Sequence, residues 1–166
     1  MRIYYQNVRS IRGKLNQIKV SAATFSADYG IIVLTETRLN EAIYDSEIEL
    51  GAFILYRDER SDLISSRGGG VLIAMRRSIK SKIPHTLDNS LISFNQLFIV
   101  LPDLKTVIGT VYIPPSSGIS LYQEHLMHVE DIKNTFLDHN LVLVGDFNLP
   151  GISWSSTTSL KRDLVL

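Results

Sequence analysis

Polar residues follow apolar stretches at four places in this sequence, and their types suit chemistry on a phosphate group. Asn7 follows "IYYQ", Glu36 follows "IIVLT" and Tyr112 follows "VIGTV". Asp146 and Asn148 come directly after "LVLVG". A carboxylate at the end of a buried strand costs free energy unless something uses it. Because ligand sites in α/β sheets form beyond the carboxyl ends of strands, these five side chains are candidates for one shared pocket.

The chemistry of this set favours a metal-assisted phosphoester site. One or two carboxylates beside amide groups suit a hard divalent cation such as Mg²⁺, which prefers oxygen ligands. A cation next to a phosphate polarises it and lowers the pKa of a bound water. Asn and Tyr side chains can donate hydrogen bonds to the non-bridging oxygens, and an Asp can orient or deprotonate the attacking water.

Each of these residues also has a structural interpretation when it is taken singly. Asn7 fits a cap for the helix that begins near position 11, at roughly even odds. Glu36 fits a surface residue at a strand end, and Tyr112 fits a core or interface aromatic. Asp146 followed by Asn148 fits an Asx-type turn after a strand. The functional hypothesis therefore depends on the residues acting together.

Two other motifs are weaker candidates. Arg67 with the glycines at 68–70 suits a phosphate cradle, but a flexible hairpin loop is favoured because the P-loop lysine is absent and no helix follows. His125 and His128 lie three residues apart on a predicted helix, but no third ligand is near them in sequence. We expect the histidines to be mostly solvated.

The elements that must position the candidate residues can be predicted from apolar periodicity. Strands are predicted at 2–8, 30–36, 51–59, 70–77 and 141–146, with three more strand-like pieces between 82 and 113. Apolar residues spaced three and four apart predict helices at 11–25 and 120–140. Ser120 and Gln123 fit a capping box for the second helix. This order predicts an α/β fold with mixed sheets covered by helices.

Composition limits the class of protein further. A chain of 166 residues that is 45% hydrophobic can form one domain with a core. The formal net charge is zero, so any contact with nucleic acid must be local. Without cysteine, disulfides, cysteine-ligated zinc and thiol nucleophiles are excluded. The apolar runs are too short for a membrane span, and no secretory pattern is present, so we expect a protein of the nucleus or cytoplasm.

Five sequence blocks together resemble the endonuclease domain of non-LTR (LINE-type) retrotransposons, within the DNase I-like endonuclease/exonuclease/phosphatase superfamily. They are "IYYQNVRSIRGKL", "YGIIVLTETRL", "RGGGVLIAM", "VIGTVYIPP" and "LVLVGDFNLPGISW". They occur in the family's order and at about its spacing, and they are most similar to arthropod jockey-like elements. The resemblance implies a four-layer α/β sandwich of two mixed β-sheets flanked by helices.

The resemblance also implies a role for each candidate residue. Asn7 resembles the family's asparagine beside the metal, and Glu36 its metal-binding glutamate. Tyr112 resembles the tyrosine that contacts the scissile phosphate. Asp146 resembles the aspartate that orients the nucleophilic water, and Asn148 the asparagine that holds the phosphate. The implied reaction is hydrolysis of a DNA phosphodiester with Mg²⁺, or alternatively Mn²⁺, which leaves a nick that primes the element's downstream reverse transcriptase.

Two departures from the family pattern affect this interpretation. Arg38 stands where many relatives have tryptophan, and a contact to a DNA phosphate is about as favoured as a plain surface position. The family's terminal Ser-Asp-His block, whose His and Asp form the acid/base pair, does not occur in the sequence. Residues 1–166 therefore resemble the N-terminal three-quarters of the domain, and we expect an exposed strand edge.

Loss of the general acid/base contribution, typically about 10²- to 10⁴-fold, predicts a polypeptide that is weakly active or inactive on its own. Two alternatives remain open. One is a non-catalytic remnant of a decayed element. The other is a different phosphoesterase of the superfamily, such as an abasic-site nuclease or an inositol-phosphate phosphatase.

Overall fold

The chain forms two β-sheets and three helices in the computed structural model, which describes residues 1–25, 28–40, 42–59, 68–84 and 94–149. In chain order the elements are β1 (Ile3–Asn7), α1 (Leu15–Phe25), β2 (Ile31–Thr35), α2 (Asp45–Ile48), β3 (Phe53–Asp58), β4 (Val71–Arg76), β5 (Asn95–Leu101), β6 (Thr106–Tyr112), α3 (Ile119–Thr135) and β7 (Asn140–Asp146). Short 3₁₀ turns lie at Arg12–Lys14 and Pro102–Leu104.

Both sheets are mixed, as predicted. The first has the strand order β1-β2-β4-β3, with β1 parallel to β2 and the other pairs antiparallel. The second has the order β5-β6-β7, with β5 antiparallel and β7 parallel to β6. Strands β1 and β2 form one parallel pair, and β6 and β7 form another. Four of the candidate side chains lie at the ends of these strands or directly after them.

The buried apolar residues of the two sheets form three core layers: one outside the first sheet, one between the sheets and one outside the second sheet. Ile31 and Val33 of β2 face the second sheet, in a cluster with Ile99 and Ile108. The intervening Ile32 and Leu34 pack in a cluster that also contains Ala22 of α1. Because β2 is covered on both faces, its continuous apolar sequence is explained.

Helix α3 covers the outer face of the second sheet. Val129 and Ile132 of this helix pack in a cluster with Phe98, Val100 and Val107. The layers are thus α1, first sheet, second sheet and α3, which confirms the predicted four-layer α/β sandwich.

Two local predictions differ from the structure, and one element was missed. The N-cap of α3 is Gly118, without a side-chain capping bond, so the predicted capping box of Ser120 and Gln123 is wrong. His125 of the same helix, which was expected to be solvated, is buried, whereas the neighbouring Leu126 is 44% exposed. The short helix α2 was not predicted.

Parts of two sequence predictions lie outside the described residues. Arg67 and most of the preceding predicted loop are among them. A strand-like piece was also predicted to begin at position 82. Lys82 forms an isolated bridge with Val100, and the residues of that piece from position 85 on lie outside the described residues. None of the helices in the described part of the chain is long and apolar enough to cross a membrane.

Candidate active site

Strand register brings the predicted site residues to one edge of the sandwich. Asp146 at the end of β7 pairs in register with Tyr112 at the end of β6, so both side chains leave the second sheet on the same face. That face is the one between the sheets, because Tyr112 belongs to the inter-sheet cluster. Asn7 at the end of β1 pairs with Thr35, and Glu36 follows directly. The ends of four strands thus supply four of the candidates.

Asn7 joins the two carboxylates of the site. Its Nδ2 donates to Oε1 of Glu36 at 2.8 Å and to Oδ2 of Asp146 at 2.8 Å. The two carboxylate oxygens share one nitrogen and so lie within about 5.6 Å of each other, twice that bond length. The amide oxygen of Asn7 accepts from the backbone N–H of Arg9 at 3.2 Å. The side chain of Asn7 therefore holds Glu36, from the first sheet, beside Asp146, from the second.

The backbone around Glu36 is unusual for residues with side chains. Glu36 and Arg38 have φ values of 52° and 54°, in the left-handed region. Backbone bonds hold this segment on both sides, because the N–H of Ser10 donates to the Glu36 carbonyl at 2.7 Å and that of Arg38 to the Gly69 carbonyl at 3.0 Å. The second carboxylate oxygen of Glu36 lies 3.9 Å from Arg38 Nη2. This conformation directs the Glu36 carboxylate to the strand ends, with Arg38 at its outer side.

Tyr112 is 4% exposed, and its hydroxyl lies against the backbone of Gly68. A Cβ added at Gly68 would be 2.4 Å from the Tyr112 hydroxyl oxygen, so a larger residue there would require the phenol or the Gly68 backbone to shift. Burial raises the pKa of Tyr112 above its ordinary value, and the Glu36 and Asp146 carboxylates raise it further. The phenol is therefore protonated at neutral pH and can donate a hydrogen bond.

Asn148 lies in the turn that follows β7, with φ of 44°. Its Nδ2 donates to the Ile113 carbonyl at 2.9 Å, and its own carbonyl accepts from the hydroxyl of Tyr122 at 2.9 Å. Its side chain thus bonds to the backbone 35 positions away, after β6, and not within its own turn as the Asx-type alternative required.

A further residue of the site, Tyr5, was missed by sequence reasoning. Its hydroxyl is 3.2 Å from Oγ1 of Thr35. Burial raises the pKa of Tyr5 above its ordinary value, and the carboxylates of Asp146 and Glu36 raise it further. The sequence did carry a signal, because Tyr5 is two residues before Asn7 on a strand and so shares its face.

The donor set fits a magnesium ion. Among the described residues no group of three or more His, Cys, Asp or Glu side chains could hold a metal. Magnesium, however, is usually held by one or two carboxylates and keeps several waters. Glu36 and Asp146 supply two carboxylates that Asn7 holds side by side, and carboxylate oxygens are hard ligands of the kind that magnesium prefers.

The histidines are not arranged as predicted. His125 is 4% exposed rather than solvated, and burial lowers its pKa to about 4. Its Nδ1 is 3.1 Å from Oε1 of Gln96, and its ring packs 5.8 Å from that of Phe147, between centroids. His139 pairs with Asp138 at 2.7 Å, but both precede β7 and so lie about 20 Å from Asp146 along that strand. The Asp138–His139 pair therefore cannot act at the candidate site.

Comparison with known proteins agrees with this architecture. The family model described as "Endonuclease/Exonuclease/phosphatase family" matches residues 5–166. No curated protein sequence matches the chain significantly. Among solved structures, the chain is similar to the endonuclease domain of TRAS1, a telomere-specific non-LTR retrotransposon, at 14% identity and a TM-score of 0.61, covering 90% of this chain and 61% of that one.

Two DNA-processing enzymes are similar to a comparable degree. The 3′-5′ exonuclease NExo from Neisseria meningitidis matches at 21% identity and a TM-score of 0.59, covering 90% of this chain and 58% of that one. An AP endonuclease from Archaeoglobus fulgidus matches at 16% identity and a TM-score of 0.55, covering 87% and 56%. The chain therefore spans about three-fifths of the length of these structures, and at such identities they show the fold alone. The match over residues 5–166 shows that the chain belongs to the endonuclease/exonuclease/phosphatase family.

Proposed function

We propose that this chain is part of the endonuclease domain of a non-LTR retrotransposon, which hydrolyses a DNA phosphodiester with a divalent metal. The nick would expose the 3′ end that primes a downstream reverse transcriptase domain. The observation that carries the proposal is the bridge from Asn7 to both Glu36 and Asp146, with Tyr112 in register beside Asp146. A phosphoester bound there would meet carboxylates on one side and a phenol donor on the other.

The residues have distinct roles in this proposal. Asp146 orients the attacking water and accepts its proton. Tyr112, whose hydroxyl makes no hydrogen bond with the described residues, donates its O–H to a non-bridging phosphate oxygen. Asn148 supplies a second donor to the phosphate through the amide hydrogen that its bond to Ile113 leaves free. Asn7 keeps the two carboxylates at a fixed separation.

Glu36, with Asn7 and Asp146 next to it, would hold the metal ion. When bound, Mg²⁺ or Mn²⁺ neutralises charge on the phosphate and increases the acidity of a coordinated water. The position of the metal ion would be set by the position of Glu36, because backbone hydrogen bonds hold the Glu36 segment on both sides. Arg38 is 43% exposed in its side chain and close to Glu36, which suits a contact to a DNA phosphate at the rim of the site.

Support for DNA as the substrate, and for a retrotransposon in particular, comes from the five sequence blocks and from the similarity to the TRAS1 domain. A related structure, the Neisseria 3′ phosphatase NExo, is bound to a product DNA hairpin. Such an activity requires access to DNA, which suits the nucleus. The acid/base histidine of the family has no counterpart near Asp146 among the described residues, so we expect the 166-residue chain alone to act slowly.

The experiment that tests the proposal is nicking of supercoiled plasmid with Mg²⁺ or Mn²⁺, by this chain and by a longer polypeptide that carries a Ser-Asp-His block. We expect Asp146→Ala and Glu36→Ala to abolish the nicking. Asp138→Ala, at the opposite end of β7, and Glu130→Ala, on the exposed face of α3, are matched controls and should retain it. If neither wild-type polypeptide nicks DNA with any divalent metal, the enzymatic proposal is wrong.

A second candidate is a repair phosphoesterase of the same family. It is favoured by the similarity to an AP endonuclease and to a 3′-5′ exonuclease at TM-scores close to that of the retrotransposon domain. Oligonucleotides with an abasic site, with a 3′ phosphate, or with neither would separate the two. Cleavage of intact duplex supports the retrotransposon assignment, whereas cleavage only at the abasic site or the 3′ phosphate supports the repair activity.

A further inference from the structure

Asn95, which begins β5, lies at the centre of contacts that lead to Tyr112. In the β5–β6 ladder Asn95 is the residue opposite Tyr112. The hydrogen bonds that its side chain makes with described residues, however, go to neither strand of that pair. It accepts from the backbone N–H of Gly70 at 2.7 Å and donates to Oδ2 of Asp58 at 3.2 Å and to the carbonyl of Glu59 at 2.8 Å. One amide thus ties the end of β3 and the beginning of β4 to the strand beside Tyr112.

The segment held by Asn95 is the glycine run at 68–70, and each of its three residues has a φ near 80°. The carbonyls of Gly69 and Gly70 accept from the backbone N–H groups of Arg38 and Thr37 at 3.0 and 3.1 Å. The glycine run therefore also fixes the segment that carries Glu36. Glycine adopts this backbone conformation without steric cost, which explains why three occur in succession.

At its other end the glycine run meets the phenol of Tyr112. The hydroxyl oxygen of Tyr112 would be 2.4 Å from a Cβ at Gly68, so the Gly68 backbone forms the wall against which the phenol rests. A shift of the glycine run would move that wall. Asn95 is thus linked to Tyr112 by two routes, the strand ladder and the glycine run, and the second also reaches the Glu36 segment.

The orientation of the Asn95 amide is itself determined. Its nitrogen must face Asp58 and the Glu59 carbonyl, so its oxygen must face the Gly70 N–H. Asp58 also accepts from the backbone N–H of Gln96 at 3.0 Å. Burial raises the pKa of Asp58 to about 6, so the carboxylate that holds Asn95 is ionised at neutral pH.

From this geometry we infer that Asn95 is a positioning residue, which acts through the glycine run at 68–70 to set the place of the Tyr112 hydroxyl relative to Glu36. The inference rests on the proposed function in taking Tyr112 as the group that meets the phosphate. It assigns Asn95 no contact with substrate or metal.

A spectroscopic experiment tests the positioning independently of catalysis. In the 166-residue chain with ¹³C-labelled tyrosine, Asn95→Ala should shift the Tyr112 ring resonance. The resonance of Tyr56, whose hydroxyl contacts Ser81, should stay unchanged and report an intact fold. Asn140→Ala, the same substitution at the far end of the second sheet, is the control. An unchanged Tyr112 resonance in Asn95→Ala overturns the inference.

A second pair of variants keeps the inference testable if Asn95→Ala does not fold. Gly68→Ala and Gly51→Ala both place a side chain at positive φ, at 79° and 57°. Only the first Cβ meets Tyr112, because nothing lies within 4 Å of a Cβ at Gly51. We expect Gly68→Ala alone to shift the Tyr112 resonance. If both variants or neither shift it, the glycine wall does not position the phenol.

Kinetics of DNA nicking form a separate arm. Asn95→Ala should lower kcat by about 10- to 100-fold, with a smaller change in KM, because a small displacement of a reacting group has effects of this size. In the Tyr112→Phe background, Asn95→Ala should cost much less, since the hydroxyl that it positions is gone. Equal losses in both backgrounds contradict the inference. Absence of nicking by the wild type contradicts the proposed function, and the resonance experiment then still decides on Asn95.

Discussion

Replacing Asn7 by aspartate tests the central geometry of the site most directly. Asn7 donates two hydrogen bonds of 2.8 Å to carboxylates. Hydrogen bonds to charged groups contribute about 1.5–3 kcal/mol each, and the lower value suits this partly buried site. Asn7→Ala should therefore lower the free energy of unfolding by about 3 kcal/mol.

Asn7→Asp removes the same two bonds and adds a third carboxylate beside Glu36 and Asp146. Two unit charges about 4 Å apart repel by about 1 kcal/mol at the dielectric constant of water and by more when partly buried. With two such neighbours, Asn7→Asp should be at least about 2 kcal/mol less stable than Asn7→Ala. The difference between the two variants isolates the repulsion from the lost hydrogen bonds.

Urea unfolding at neutral pH and low salt measures both variants. High NaCl should reduce the difference between them by screening. Millimolar MgCl₂ should reduce it further, because a cation that binds only the folded state adds about 2.7 kcal/mol when its concentration is 100 times its Kd. Asn140→Asp adds the same charge at the other end of β7 and should change stability by less than about 0.5 kcal/mol.

Two results would refute this reasoning. Equal stability of Asn7→Asp and Asn7→Ala at low salt would mean that residue 7 does not face two carboxylates. A difference that persists unchanged in MgCl₂ would mean that the carboxylates do not hold a divalent cation, and the metal-dependent function would then lose its basis.

Three further predictions concern stability, measured by urea unfolding. Burial lowers the pKa of His125 to about 4, so the unfolded chain binds the proton of this histidine more tightly than the folded chain does. The free energy of unfolding should therefore rise by about 3 kcal/mol as the pH rises from 4 to 6.5, and His125→Asn should remove that slope. Burial raises the pKa of Asp58 to about 6, so the folded chain binds the proton of this carboxyl more tightly than the unfolded chain does. The contribution of Asp58 to the free energy of unfolding should therefore fall by about 3 kcal/mol as the pH rises from 4 to 6, and Asp58→Asn should remove this slope. Gly145→Ala places a Cβ 2.4 Å from the Val111 carbonyl and should cost about 3 kcal/mol, whereas Gly13→Ala meets nothing within 4 Å and should not.

Much of the scaffold could be predicted because its strands are covered on both faces. The sequence at 31–34 is apolar throughout, and these four residues and Thr35 after them are all buried in β2, between α1 and the second sheet. Such a stretch identifies a central strand whatever its partners are. The polar residue that follows it, Glu36, then marks the strand end. For the same reason Tyr112 and Asp146 could be recognised from the end of an apolar stretch.

The contacts that make the site could not be predicted in the same way. Asn7 and Asp146 are 139 positions apart in sequence, and their contact depends on how two separate sheets pack. Periodicity cannot give that packing, because it reports only which face of an element is apolar. Asn95 was missed for a related reason, since its three partners come from the neighbouring sheet and not from its own strand.

His125 shows the same limit on a helix. Nothing in the sequence indicated a buried partner for His125, so this histidine was expected to be solvated. The buried amide of Gln96, on β5, offers His125 a hydrogen-bond partner across the sheet. A polar group can be buried when such a partner exists, so tertiary context overrode the pattern.

Backbone strain at the site indicates how the geometry is maintained. Glu36, Arg38 and Asn148 all adopt positive φ without being glycine, at a cost of about 1–3 kcal/mol each. Each is held by bonds from another element: Ser10 to Glu36, Gly69 to Arg38, and Tyr122 to Asn148. A local turn preference would not need such support. The candidate side chains are therefore placed by the assembled sandwich, and substitutions that loosen its cross-links should impair the site before they unfold the chain.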